Sequence, residues 1–314
     1  MRNEKIGFIG LGNVGEKLSK NLLNKKNKLY LFDKDKKKYL KFKNFNTYKC
    51  NNLKDIALNC SVIITCLPSP QSINSVIKSL LPYLNQTHLW IDMSTTDQNE
   101  MIRLSKILKK RGVNILEAPI TGGEHRATSG NISILTAGKR ANFKRAFPIL
   151  AKLGHKILYC GEIGNASILK IITNYLASLN LVGIGEALAL AKKQNIDLGL
   201  TYNAIKISSG NSFVNETETK VILAGSYDVG FTMDLVNKDI NIFNKLAKQK
   251  KIPVDLAKIL NKKFKDGMNI LGKRSFSTSI VKLLENECNI KMRAKKFPKK
   301  LIDNEKKRKG VLIN

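Results

Sequence analysis

The sequence predicts an α/β fold, a Rossmann-type doubly wound parallel sheet, followed by an all-α C-terminal domain. Three observations predict it. A short apolar run ends in a Gly-x-Gly-x-x-Gly turn near the N-terminus, strand-like and helix-like segments alternate through the first half, and the second half shows helical periodicity alone. At 314 residues the chain exceeds what one core usually fills, so two domains are expected.

The first strand is "IGFI", and "VGEKLSKNLL" follows as an amphipathic helix with Val14, Leu18 and Leu22 on one side. Between them lie Gly10, Leu11, Gly12, Asn13, Val14 and Gly15. Their glycine spacing makes a tight turn that sets backbone N–H groups and a helix N-terminus against a pyrophosphate. A second strand, "KLYLF", ends at Asp33, roughly 20 residues on, where a carboxylate holds the adenosine ribose hydroxyls. An acid there repels a 2′-phosphate and favours NAD, while Lys34, Lys36 and Lys37 leave NADP open.

The alternation continues with the strand "SVIITCL", the helical "SINSVIKSLL", the strand "HLWIDMS" and the helical "QNEMIRLSKILKKRG". Ligands of such sheets bind beyond the carboxyl ends of the strands. Leu67, Pro68 and Thr95 stand there, either lining a cofactor crevice or serving as plain loop residues. A further strand, "VNILEAPI", leads to Thr121, Gly122 and Gly123, which read as a sharp turn or as a hydroxyl and N–H groups offered to an anion.

The second half opens with "CGEIGNASILKIITNYL", where Lys170 and Asn174 stand four residues apart on one helix face. The apolar run from Ile168 to Ala191 is interrupted by Lys170, Asn174, Asn180 and Glu186, which a lipid-facing span tolerates poorly, so it reads as a buried helix of a soluble protein. The segments "TYNAIKIS", "NETETKVIL", "MDLVNKDINIFNKLAKQ" and "VDLAKILNKKFKDGM" continue the helical pattern. So long an apolar helix needs cover, which a second subunit would supply as well as its own domain, and a homodimer or homotetramer is expected.

Composition removes several function classes. Five cysteines without Cys-x-x-Cys spacing and three scattered histidines give neither a disulfide framework nor a metal site. No segment reads as a signal peptide, and a reducing cytoplasm is the expected setting. The net charge of +31 invites nucleic acid, yet 46 lysines against 9 arginines, spread along the chain, lack the arginine forks of specific recognition. The exception is the tail from Lys291 to Lys309, with ten basic residues against Asp303 and Glu305, expected as a solvated extension. The expected domains are therefore 1–163, 164–290 and a basic tail at 291–314.

Four motifs in order, "GLGNVG" at Gly10, "EAPITGG" at Glu117, "GEIGNASILKIITN" at Gly161 and "NKDI" at Asn237, resemble the β-hydroxyacid dehydrogenase family. That family includes 3-hydroxyisobutyrate dehydrogenase and tartronate semialdehyde reductase, with 6-phosphogluconate dehydrogenase more distant. The resemblance covers roughly residues 4 to 290 and departs at Glu117, Thr121 and Ala166, where the family usually has aspartate, serine and glycine. It implies an NAD(P)-dependent enzyme interconverting a small 3-hydroxy acid and its semialdehyde, with Lys170 as acid/base. It also implies Thr121, Gly122, Gly123 and Asn174 at the substrate, Lys238 near the nicotinamide and Phe231 packing over that ring. Without it, Lys170 reads as an amine snorkelling out of an apolar helix and Lys238 as a surface amine beside Asp234 or Asp239. Within the class, "TGGEHRA" is similar to the tartronate semialdehyde branch, whereas "CLPSPQSIN" and "SSGNSF" look like the 3-hydroxyisobutyrate branch. Arg126 leaves a sulfonated or phosphorylated aldehyde open. A redox-silent NAD-binding protein with a nucleic-acid-binding tail is the rival class.

Overall fold

A computed structural model describes residues 4–24 and 28–313, in two compact units. One unit runs to Lys170 and takes in the final segment from Asp303; the other is Ile171–Ile302.

In the first unit, four-residue apolar runs become strands and the amphipathic runs between them become helices. The order is β1 (Ile6–Ile9), α1 (Asn13–Asn21), β2 (Leu29–Phe32), β3 (Thr47–Lys49), α2 (Leu53–Asn59), β4 (Val62–Thr65), α3 (Pro70–Leu80), β5 (Leu89–Asp92), α4 (Gln98–Lys109) and β6 (Asn114–Glu117). Then come β7 (Ile120–Thr121), α5 (Gly123–Ser129), β8 (Ile132–Gly138), α6 (Arg140–Leu153), β9 (Gly154–Tyr159) and the start of α7 (Asn165–Lys193). A last strand, β10 (Val311–Ile313), belongs to this unit. The strands lie in the order β10-β9-β8-β6-β5-β4-β1-β2-β3, with β7 beside β8. Neighbours run parallel except at β8, which is antiparallel to β6 and β7. The sheet is thus the expected doubly wound parallel one with an exception at β8, because β7 and β8 are the arms of a wide hairpin closed by α5, and a hairpin return fixes an antiparallel direction.

Successive side chains of a strand point to opposite faces, so the central strands feed two cores. Phe8, Ile64 and Ile91 join Leu18 and Leu31 on one face; Ile9, Ile63 and Trp90 join Ile56 and Ile73 on the other. Each such fully buried side chain contributes about 1.5–3 kcal/mol.

A buried charge also ties α1 to the segment after β2. Glu16 is 3 % exposed and accepts from Lys20 at 2.9 Å and from Lys41, with Lys17 at 3.4 Å. Burial works to raise its carboxyl, but the hydrogen bonds from Lys41 and Lys20 and the charge of Lys17 outweigh this and hold it at about 2 against an ordinary 4.5. A depressed carboxylate stabilises the fold above its unfolded value and ceases to as pH falls through its folded value. Because the lysines are partly solvated, Glu16→Gln is expected to lower stability at pH 7 by only about 1 kcal/mol. That difference should close as pH falls from 4.5 toward 2. Denaturant titrations across that range check it, and a pH-independent difference would count against the ion cluster.

The second unit is all-helical among the described residues. It holds the remainder of α7, α8 (Leu198–Lys206), α9 (Phe213–Leu223), α10 (Met233–Gln249), α11 (Asp255–Leu271) and α12 (Lys282–Glu287). Its core gathers Leu188, Tyr202, Ile222, Met233, Ile240 and Phe264. Glu285, 2 % exposed, accepts from the Tyr227 hydroxyl at 2.6 Å, the Met292 N–H at 2.7 Å and Arg293 at 2.7 Å. The start of the basic tail is thereby fixed to the helices.

The sequence reads α7 as a buried helix that needs cover from its own domain or a second subunit; within this chain 33 % of its most apolar window is buried, and by length and composition it could cross a membrane. Leu169, Ile172, Leu176 and Leu190 are exposed. Its stripe of apolar residues is wider than the neighbours within one chain cover. The tail at 291–314 is expected as a solvated extension, and most of its described residues are exposed, but it is anchored at points along its length: Met292 is fully buried, and Val311–Ile313 pairs in parallel with Lys156–Leu158 of β9. Its apolar Val-Leu-Ile ending finds an open sheet edge, which outweighs the repulsion among its lysines.

Candidate functional site

The glycine turn sits between β1 and α1, where its three glycines meet different constraints. Gly10 has φ of +96°, and a Cβ there would stand 2.3 Å from the Cys66 carbonyl oxygen. A Cβ on Gly15 would stand 2.1 Å from the Gly10 carbonyl oxygen. Gly12, the N-cap of α1, would meet no protein atom within 4 Å, and no side chain caps the helix beside it. Its openness is the cradle that a pyrophosphate needs against the first N–H groups of a helix, those of Asn13, Val14 and Gly15. At the end of β2, Asp33 Oδ2 accepts from the Leu11 N–H at 2.6 Å and Oδ1 from the Asp35 N–H at 2.8 Å. The carboxylate is fixed beside the turn with lone pairs left for ribose hydroxyls. Lys36 is committed elsewhere: its ammonium lies 3.4 and 3.2 Å from the carbonyls of Cys50 and Asn51 and over the Phe32 ring. These residues fit a dinucleotide.

The ends of β4 and β5 are joined by a buried relay. Trp90 Nε1 donates to Thr65 Oγ1 at 2.9 Å, Thr65 and Ser94 each donate to Asp92 Oδ1 at 2.7 Å, and Ser94 Oγ accepts from the Leu67 N–H at 2.9 Å. The relay shapes the loop that presents Leu67 and the exposed Pro68, and Thr95 follows Ser94 half-buried. Cys66 borders the glycine turn, but burial pushes its thiol up to about 12, with Asp92 adding to the rise, so it is no nucleophile at neutral pH.

Thr121 pairs with Ser133 across the β7–β8 ladder, which fixes its backbone. Gly122 and Gly123 follow with φ of +123° and +84°, a pair that β-carbon-bearing residues rarely adopt. His125 folds back against Gly123, and Arg126 lies 3.5 Å from Glu305.

Glu117 does more than keep the family's charge at its position. It is 1 % exposed, accepts from the Gly164 N–H, and takes the Ser167 N–H at 2.8 Å and hydroxyl at 2.7 Å on its other oxygen. It thus caps the first turn of α7 from the end of β6. Burial pushes its carboxyl up, with Asp92 adding to the rise, against the lowering effect of the Gly164 and Ser167 donors. Lys170 lies one turn further along this anchored start, 6 % exposed, and Asn174 one turn beyond it.

Asn174 Nδ2 donates to Asp239 Oδ2 at 2.6 Å, and Lys238 Nζ is 2.9 Å from Asp239 Oδ1. The second unit therefore brings the candidate residues Asn174 and Lys238 together on Asp239, which the sequence offers only as a possible partner of Lys238. Its Oδ1 has the Lys238 charge beside it but no hydrogen bond of good geometry, so the pair is an ion contact. Phe231 lies at the margin of the helical core, and its carbonyl accepts from the Ser277 N–H at 2.8 Å.

Residues 5–161 match the family model of the NAD binding domain of 6-phosphogluconate dehydrogenase. Residues 164–284 match the one described as NAD-binding of NADP-dependent 3-hydroxyisobutyrate dehydrogenase. The chain is 31 % identical over 266 residues to the mitochondrial 3-hydroxyisobutyrate dehydrogenase of Rattus norvegicus, covering 81 % of this chain and 79 % of that one. It is 27 % identical over 291 residues to the 2-(hydroxymethyl)glutarate dehydrogenase of Eubacterium barkeri, covering 91 % and 96 %. The structure of Mycobacterium tuberculosis 3-hydroxyisobutyrate dehydrogenase with L-serine is similar in fold, with a TM-score of 0.80 at 22 % identity over 90 % of this chain and 99 % of that one.

Proposed function

Since this chain belongs to the β-hydroxyacid dehydrogenase family, NAD(P)-binding oxidoreductases acting on CH–OH, we propose that it interconverts a 3-hydroxy acid of the 3-hydroxyisobutyrate type and its semialdehyde. The redox-silent alternative falls with that membership. The observation that carries the reading is Lys170, an amine 6 % exposed on an apolar helix whose first turn is anchored by Glu117, one turn before an amide held by Asp239.

The named substrates of the two relatives share a hydroxymethyl group one carbon from a carboxylate. In this reading the Thr121 hydroxyl and the N–H groups of Gly122 and Gly123 take the carboxylate. Lys170 Nζ receives the hydroxyl proton on oxidation and returns one to the carbonyl oxygen on reduction. Asp239 fixes the Asn174 amide by one Nδ2–H, leaving its other N–H and Oδ1 to orient the hydroxyl. The bound nicotinamide supplies the hydride acceptor or donor. The glycine turn and Asp33 would hold the dinucleotide, with Leu67, Pro68 and Thr95 along the strand ends and Phe231 and Lys238 toward the nicotinamide. The fixed Asp33 carboxylate and the committed Lys36 support NAD over NADP. The Arg126–Glu305 pair supports a monoanionic substrate over a sulfonated, phosphorylated or tartronate-type one, because the guanidinium already faces a carboxylate. The exposed apolar residues of α7 support a second subunit as its cover.

The test is nicotinamide reduction by the purified chain with NAD and NADP against 3-hydroxyisobutyrate, 3-hydroxypropionate, 2-(hydroxymethyl)glutarate and glycerate. The expected outcome is turnover of 3-hydroxyisobutyrate with NAD, at a kcat/KM at least about tenfold above that with NADP, a difference of about 1.4 kcal/mol in transition-state binding. Preference for glycerate would move the chain to the tartronate semialdehyde branch.

A further inference from the structure

The segment from Asp303 to Ile313 lies beyond residue 284, where the family match ends, and it is built into the first unit. Its hub is Asn131, 3 % exposed and two residues after the end of α5. The Asn131 amide Nδ2 donates to Asp303 Oδ2 at 3.0 Å and lies 3.2 and 3.3 Å from the carbonyls of Glu305 and Lys306. Its Oδ1 accepts from the Arg308 N–H at 2.9 Å. A buried amide must be satisfied, and these four partners all come from the C-terminal segment.

The same segment grips α5 itself. Ser129 Oγ, on the last residue of that helix, donates to Asp303 Oδ2 at 2.5 Å, and Arg126 pairs with Glu305 at 3.5 Å. Lys307 Nζ donates to Asn21 Oδ1 at 3.0 Å, and Asn21 Nδ2 donates to the Ala127 carbonyl at 2.8 Å. Beyond this, the Gly310 N–H donates to the Ala151 carbonyl at 3.2 Å, so closely packed that a Cβ would stand 2.5 Å from Ala151 Cα, and β10 then joins β9. The segment is therefore clamped to the sheet at one end and to α5 at the other.

Helix α5 begins at Gly123, so whatever sets α5 sets the loop before it. Thr121 is held by β8, but Gly122 and Gly123 have glycine's backbone freedom and no side chains to lock them. We propose that Asp303–Ile313 is a strap that sets the shape of the Thr121–Gly123 loop by clamping α5, with Asp303 and Asn131 as positioning residues for the substrate. This rests on the reading of that loop as the carboxylate site.

The experiment compares the full chain with Asp303→Ala, Asp303→Asn and Thr121→Ala, using whichever hydroxy acid the wild type turns over. It reads KM and kcat for that acid, Kd for NAD by fluorescence, and Tm. Asp303→Ala is expected to raise KM for the acid by about tenfold, the scale on which a displaced binding group is felt, with the Kd of NAD within about twofold. Asp303→Asn, whose single carbonyl oxygen can accept both bonds that Oδ2 takes, is expected to restore KM. If Asp303→Ala lowers Tm with KM unmoved while Thr121→Ala raises KM, the strap only stabilises and the proposal is overturned. If Thr121→Ala leaves KM unmoved, the loop reading itself is overturned and the positioning role goes with it.

Discussion

Replacing Lys170 with alanine is expected to lower kcat by about 10²–10⁴-fold, the usual contribution of a positioned general acid or base, with a much smaller change in KM for the hydroxy acid. The side chain is 6 % exposed on a helix whose first turn is fastened to β6 by three hydrogen bonds to Glu117, so its amine is delivered by a rigid element. Lys170→Arg is expected to fail nearly as badly, because a guanidinium keeps its proton at any working pH. Lys170→Met keeps the apolar stem and separates chemistry from packing: it should keep a Tm closer to the wild type than Lys170→Ala does, while remaining inactive. Steady-state rates with saturating NAD and thermal unfolding of the three variants decide the matter. Activity within about tenfold of wild type in Lys170→Ala would return the residue to a snorkelling amine.

The glycine turn gives the second large effect, and it comes as a contrast. Gly15→Ala is expected to damage folding and cofactor binding together, because its Cβ would lie 2.1 Å from the Gly10 carbonyl oxygen and α1 would have to move off β1. Such overpacking typically costs about 1–3 kcal/mol. Gly12→Ala meets no protein atom within 4 Å, so stability should fall by no more than about 1 kcal/mol, the loss expected on weakening an N-cap. Its methyl group would nevertheless occupy the space a pyrophosphate needs, and NAD binding is expected to weaken by at least about tenfold, or 1.4 kcal/mol. Calorimetric NAD titration alongside thermal unfolding separates the two. Undiminished NAD affinity in Gly12→Ala would show that the open face of the turn is not where the dinucleotide lies.

What the sequence disclosed was local. The turn from Gly10 to Gly15 and the carboxylate at Asp33 follow from a strand, a turn and a helix adjacent in the chain. Lys170 and Asn174 were linked by helical spacing and by resemblance to a family. What stayed hidden depends on residues far apart in sequence. Asp239 reaches Asn174 across 65 positions, and Glu117 reaches Ser167 across 50. No periodicity marks such partners, and Glu117 stood out only as an aspartate substitute. The tail misled for the same reason. Its composition is that of a solvated segment, but its fate was decided by Asn131, 172 positions before Asp303, and by a sheet edge that no local pattern reveals. The antiparallel turn at β8 escaped because strand direction is set by the connection rather than by the strand.

The pairing of β10 with β9 has a consequence for how the protein is made. Strand β9 ends at Tyr159, whereas its partner, Val311–Ile313, is translated only after the helical unit. Domains usually fold in the order of their synthesis, N-terminal first. Here the N-terminal sheet emerges early but waits, with one edge open, while the entire helical unit is translated. During that interval the β9 edge can recruit a strand from another nascent chain, and a chain that stops before Val311 leaves the edge open for good. Truncated products should therefore be selectively prone to aggregation even when every residue of the proposed active site is present.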